Sequence, residues 1–140
     1  MNAPPPLAPV LLGSVLVVLL VAAGASQPRG GEGRTRPPEA FTCRPDDLTS
    51  YTGRVTDYRR ESGRTRIRIR TDWDTDEKVT IRHPGNDDPS PWFRFRGQMF
   101  ADSDWSQVEV RHGKLHPGIR ATAWVCRDGR TIVDWEVPRE

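Results

Sequence analysis

Residues 64–71 read RTRIRIRT, arginine at every second position with threonine or isoleucine between. Successive side chains of a strand point to opposite faces, so an extended chain sorts this run into two chemistries. A helix would scatter the same guanidinium groups around its axis and leave no apolar stripe. Ile67 and Ile69 therefore face a core, and Arg66, Arg68 and Arg70 face away from it. After a polar turn through Asp72, Asp74 and Asp76, residues 78–83 (KVTIRH) alternate in the same way, with Val79 and Ile81 as the apolar positions. The two runs predict a hairpin in which Lys78, Thr80 and Arg82 share the arginine side.

Three further runs of period two flank this hairpin. Residues 51–58 (YTGRVTDY) alternate loosely and stop at the turn signal ESG. With Val55 inward, Arg54 joins the ladder, and six cations occupy one outer surface with no carboxylate at the alternating positions. Like charges opposite one another on neighbouring strands cost from a few tenths to about 1 kcal/mol per pair, which a polyanion would relieve. Near the C-terminus, IRATAWVC and TIVDWEV are joined by Arg127-Asp128-Gly129-Arg130, and Asp-Gly between alternating runs signals a hairpin. Between the two halves, HPGNDDPSP reads as a loop. WFRFRGQMF alternates briefly, and ADSDWSQVEVRHG predicts a short helix begun by Asp102 or Ser103 and ended by Gly113, although Val108-Glu109-Val110 also suits a strand.

Three strands, a connection holding at most one short helix, and a terminal hairpin resemble the OB-fold, a five-stranded Greek-key barrel. Gly53-Arg54-Val55 in a long first strand and Leu115-His116-Pro117-Gly118 ahead of the fourth resemble the same family. The expected fold is thus all-β, a small OB-like barrel over residues 41–140, with a small β-sandwich as the rival. The resemblance implies that the first and fourth strands lie side by side, bringing Cys43 near Cys126. It also implies a binding surface on the second and third strands, flanked by the loops RRESGR and RDGR. Arg59, Arg60, Arg64, Arg127 and Arg130 would extend the basic surface, and Tyr58 and Trp73 are the nearest stacking platforms. Trp124 and Trp135, in the last two strands, are expected to fill the barrel, and Trp92 with Phe93 and Phe95 to plug its end.

Residues 1–25 end in an apolar run from Val15 to Ala23, and Ala23-Gly24-Ala25 supplies small residues for cleavage before Ser26, the pattern of a cleaved secretory signal. No basic residue precedes that run while Arg29, Arg34 and Arg36 follow it, which describes the alternative, an anchor over residues 7–25. Residues 26–40 are Gly-, Pro- and Arg-rich and read as a flexible tether. The two cysteines lie in no metal-binding or C-x-x-C setting, and in a periplasmic or secreted protein they predict one disulfide, against the alternative of two free thiols. Such a bridge closes a loop for which chain entropy gives roughly 4 to 5 kcal/mol.

The net charge is +2 over 140 residues, so any attraction for a polyanion has to be local. Asp72, Asp74 and Asp76 have the spacing that opens a calcium loop, yet Glu77 and His83 stand where that loop requires Gly and Glu. His112 and His116 are four apart, but Gly113 and Pro117 oppose the helix that would bring them to one metal. No activated nucleophile is visible, and no cofactor is expected. The sequence therefore points to a non-catalytic module that binds single-stranded nucleic acid or an acidic glycan through Arg54, Tyr58, Arg66, Arg68, Arg70, Lys78, Arg82 and Arg130. The alternatives are an envelope structural or assembly factor with a merely solvated basic face, and a thermonuclease-like secreted phosphodiesterase.

Overall fold

The alternating runs are strands in the computed structural model, which describes residues 36–84 and 88–138. The expectations for residues 1–25, and for the tether before residue 36, lie outside these residues. β1 spans Leu48–Glu61, β2 Arg64–Thr71 and β3 Asp76–Arg82. Burial alternates along β2 without exception, with Thr65, Ile67, Ile69 and Thr71 buried and Arg64, Arg66, Arg68 and Arg70 exposed. Then come β4 (Phe93–Phe95), β5 (Gln98–Met99), a 3-10 turn at Asp102–Asp104, and one helical turn, α1, at Trp105–Val108. β6 (Glu109–Arg111), β7 (Lys114–Leu115), β8 (Arg120–Cys126) and β9 (Thr131–Glu136) complete an all-β domain.

Among the described residues, seven strands form one mixed sheet in the order β3-β2-β1-β8-β9-β4-β5, and β6 pairs with β7. The first five in that order are the five strands expected from the alternation. The difference lies beyond β9. No hydrogen-bonded pairing joins β3 to β9 and closes the ring, because the free side of β9 is taken by β4, which runs parallel to it with Phe93 opposite Val133. The Val133 N–H donates to the Trp92 carbonyl at 2.9 Å and the Arg96 N–H to the Trp135 carbonyl at 3.0 Å. A segment read as connection is therefore itself a strand. The expected helix is also shorter. The Asp104 carboxylate accepts the Ala101 N–H at its start, but the chain extends again at Glu109 to pair with Leu115. Gly113 serves the β6–β7 turn at φ 77° instead of ending a helix.

The core lies on the isoleucine side. Ile67, Ile69, Val79 and Ile81 from the hairpin meet Ala121, Ala123, Val133 and Trp135 from β8 and β9, with Phe93, Phe100 and Val108 supplied by the connection. Phe93 stands 6.2 Å from Trp135 and 5.2 Å from Trp105, centroid to centroid. Phe93 is buried in this core and Trp92 and Phe95 pack against it, with no closed barrel end to plug, whereas Trp124 does not share that interior. It follows Ala123 in β8, so it belongs to the reverse face, where it is buried opposite Ile132.

β1 holds the sheet together because it pairs twice. Leu48 to Arg54 run against β8, and Gly53 to Glu61 run against β2. At Gly53 both partners are present, and a Cβ there would sit 2.1 Å from the Arg70 carbonyl oxygen. Only glycine permits that approach. At the start of β1, Leu48 lies opposite Cys126, and Cys126 is bonded to Cys43 with the Cα atoms 6.1 Å apart. Such bridges persist in oxidising compartments.

Replacing Gly53→Ala is expected to cost about 1 to 3 kcal/mol, the usual toll of forcing atoms into a packed site. For a domain of this size that lowers the melting temperature by several degrees. Replacing Cys43 and Cys126 together by serine should remove roughly 4 to 5 kcal/mol of stability by the chain-entropy account. Denaturant unfolding of each variant checks both values.

Candidate functional site

The outer face of β1, β2 and β3 carries the cation ladder, and a β-bulge decides its membership. Arg54 lies opposite Arg70 and Val55 opposite Ile69, but the next paired residue of β1 is Asp57, opposite Arg68. Thr56 is the extra residue. Its insertion reverses the alternation for the rest of β1, sending Asp57, Arg59 and Glu61 outward and Tyr58 and Arg60 inward. Tyr58 is therefore not on the ligand face; its ring packs edge-on against Trp135 at 5.8 Å. Arg60 is likewise withdrawn from the basic surface.

The same bulge brings carboxylates to the face expected to have none. Glu61 accepts hydrogen bonds from Arg64 at 2.7 Å and Arg66 at 3.0 Å, and those guanidiniums hold its carboxyl below the usual range. Arg70 bonds Asp74 at 2.8 Å and Asp76 at 2.7 Å. Arg66 and Arg70 are thus partly neutralised within the chain. The side chains of Arg54, Arg68, Lys78 and Arg82 make no hydrogen bond or ion pair with any other described residue. In register, Arg68 lies between Asp57 and Lys78, while Arg66 lies between Arg59 and Thr80. Together these residues line a shallow depression of about 300 Å³. Four cations and one carboxylate around so small a hollow form an anion-binding arrangement.

Arg130 lies elsewhere. It sits in the β8–β9 turn beside the start of β1, whereas Arg59 and Arg66 flank the end of β1, and its guanidinium is bonded to Asp128 at 2.8 Å. The acids of the β2–β3 turn are also committed: Asp72 to Arg120 at 2.7 Å, and Asp74 and Asp76 to Arg70. His112 lies in the β6–β7 turn and His116 holds the Ser106 carbonyl at 3.1 Å. Among the described residues, no three His, Cys, Asp or Glu side chains are gathered as a metal site would require.

Behind the ladder lies a polar network that sequence reading missed. Glu109, only 6% exposed, accepts a bidentate pair from Arg60 at 2.9 and 2.7 Å, the Tyr58 hydroxyl, and the Gly113 N–H at 3.2 Å. Arg60 in turn lies 4.0 Å over the Trp105 ring. Burial alone would raise the Glu109 carboxyl, but the bonds from Arg60 and Tyr58 outweigh it and hold the group below its ordinary value. Burial, reinforced by the Glu109 carboxylate, pushes Tyr58 far up, so it remains a neutral donor. A lone acid in VEV gives no sign of this role. Asp134 behaves oppositely, since burial raises its carboxyl despite the bond it accepts from the Gly97 N–H.

Comparison of the chain with protein families, with curated proteins and with solved structures found no match to any of them.

Glu109 binds its proton more weakly folded than unfolded, so its contribution to stability is present above the unfolded glutamate value near 4.3 and is lost as pH falls through the lower folded value. Glu109→Gln should cost about 2 kcal/mol at neutral pH, as for a bond to a charged group, and flatten the acid limb of stability against pH. Asp134→Asn should change that limb in the opposite sense. Urea unfolding across pH 3 to 7 tests both variants.

Proposed function

We propose that this chain is an exported, non-catalytic binding module with an OB-like strand arrangement, and that it recognises an anionic polymer on the outer face of β1, β2 and β3. One observation carries the reading: the side chains of Arg54, Arg68, Lys78 and Arg82 project from β1, β2 and β3 with no internal acid bonded to them, and Arg68 and Lys78 line a hollow together with Arg59 and Arg66. Nothing in the packing requires arginine there, since the ladder faces away from the core. The pairs made by Arg66 and Arg70 are solvent-exposed, and exposed ion pairs are readily exchanged for other anions. The Cys43–Cys126 bridge supports an oxidising destination such as the periplasm or the exterior.

The ligand class consistent with this face is a chain of regularly spaced charges, single-stranded nucleic acid or acidic glycan. With Tyr58 turned inward, base stacking within the ladder loses its nearest platform, so recognition rests on charge and backbone. The alternative, an envelope assembly factor with a self-satisfied face, draws on the bonds of Glu61, Asp74 and Asp76. The thermonuclease-like reading gains no specific observation.

Titration with heparin and with a short single-stranded DNA at two ionic strengths tests the proposal. Four neutralised phosphates give a slope of about −3 in log affinity against log salt for a single strand. Replacing Arg54, Arg68 and Lys78 by serine should remove most of the binding and its salt dependence, with the melting temperature nearly unchanged. Binding indifferent to salt, or equal in the triple variant, would sink the idea.

A further inference from the structure

The turn between β2 and β3 displays Trp73 with 88% of its surface in water, far more than any buried-core reading of a tryptophan allows. The turn is built to hold it there. The Thr71 N–H donates to the Thr75 carbonyl at 2.8 Å, the Asp74 N–H to the Thr71 carbonyl at 2.9 Å, and the Asp72 N–H to the Thr52 carbonyl at 3.0 Å. The two threonine hydroxyls lie 2.8 Å apart, and Asp74 adopts φ 66°, the left-handed turn conformation that aspartate takes more readily than most residues. Arg120 fixes Asp72 from one side and Arg70 fixes Asp74 and Asp76 from the other. Asp72, Asp74, Asp76 and Glu77 outnumber those two guanidiniums, so the tip is net acidic around an exposed indole.

A rigid aromatic anchor with an acidic collar fits a cationic hollow, and this chain supplies one on the same hairpin. We propose that Trp73 of one copy seats in the depression between Arg66, Arg68 and Lys78 of a second copy, and that the exchange is reciprocal. The depression, at about 300 Å³, holds roughly ten water volumes, room for a bicyclic ring. Guanidinium groups stack over indole faces, and the collar carboxylates, which keep acceptor sites beyond those used by Arg70 and Arg120, meet Arg59 and Lys78. Tip and hollow are separated by about five residues, roughly 17 Å of strand. Two hairpins laid antiparallel therefore bring each tip over the other's hollow, a self-complementary two-fold contact that closes at a dimer. A preorganised anchor loses little freedom on docking. The inference does not depend on the polyanion reading, although the two occupants use the same cations and exclude one another.

Sedimentation velocity of the purified chain at low ionic strength, over a range of concentrations, tests it together with indole fluorescence. The wild type should dimerise with a blue shift in emission and dissociate in salt or heparin. Trp73→Ala, and separately a variant with Arg66, Arg68 and Lys78 replaced by serine, should each weaken dimerisation by about thirtyfold or more, the effect of losing a hot spot. Mixing the two variants should restore association that neither shows alone, because one tip and one intact hollow then meet. Trp73→Ala should still bind heparin, which separates failure here from failure of the polyanion reading. A wild type that stays monomeric with unshifted emission, a dimer that survives Trp73→Ala, or variants that do not complement one another would each overturn the proposal.

Discussion

The sheet depends on β1 serving two neighbours in succession, and on the geometry that lets it do so. Its first half is zipped to β8 and its second half to β2, with Gly53 at the changeover where the Arg70 carbonyl leaves no room for a side chain. Three residues later Thr56 bulges out and the strand exchanges its faces. A strand that kept one parity throughout would place Tyr58 among the arginines and Asp57, Arg59 and Glu61 against the apolar interior. The bulge instead delivers Tyr58 to Trp135 and Glu109, and delivers Glu61 to Arg64 and Arg66. Core packing and surface charge are thus set by the same extra residue.

That arrangement leaves the basic face in two states. At its two ends, around Glu61 and around Asp74 and Asp76, arginines are held by neighbouring acids. Between them, Arg68 and Lys78 face one another across β2 and β3 with no acid bonded to either. A uniformly cationic sheet would repel itself along its whole length, and a fully paired one would attract nothing. Arg54 and Arg82 stand beside the held arginines with no acid of their own, and Arg68 and Lys78 add unspent charge in the middle of the hairpin, where the depression lies.

The parts of this structure that were legible in the sequence are those where a strand has unlike faces and no irregularity. β2 and β3 satisfy both conditions, so the orientation of Ile67, Ile69, Val79 and Ile81 and of the ladder followed from period alone. Tyr58 and Arg60 were assigned to the wrong face because the bulge is silent in composition: Thr56 resembles any other strand residue. Trp124 was misplaced for a different reason. β8 and β9 are buried on both faces, and where every position is shielded the alternation carries no information about which side a tryptophan takes. The brief alternation of WFRFRGQMF was visible but its place in the sheet was not, because β4 is three residues long and pairs in parallel with a strand about 40 positions away, a contact that no local pattern encodes. Nothing in Val108-Glu109-Val110 marks Glu109 as buried, because its side-chain partners, Arg60 and Tyr58, come from β1, about fifty positions earlier.

The pairing of β1 with β8 has a kinetic consequence. Hairpins such as β2–β3 and β8–β9 close over short stretches of chain, whereas Leu48 finds Cys126 only after most of the domain lies between them. Closing so long a loop is entropically slow and comes after local pairings have formed. The Cys43–Cys126 bond therefore ties together two segments that only a long-range strand pairing brings side by side.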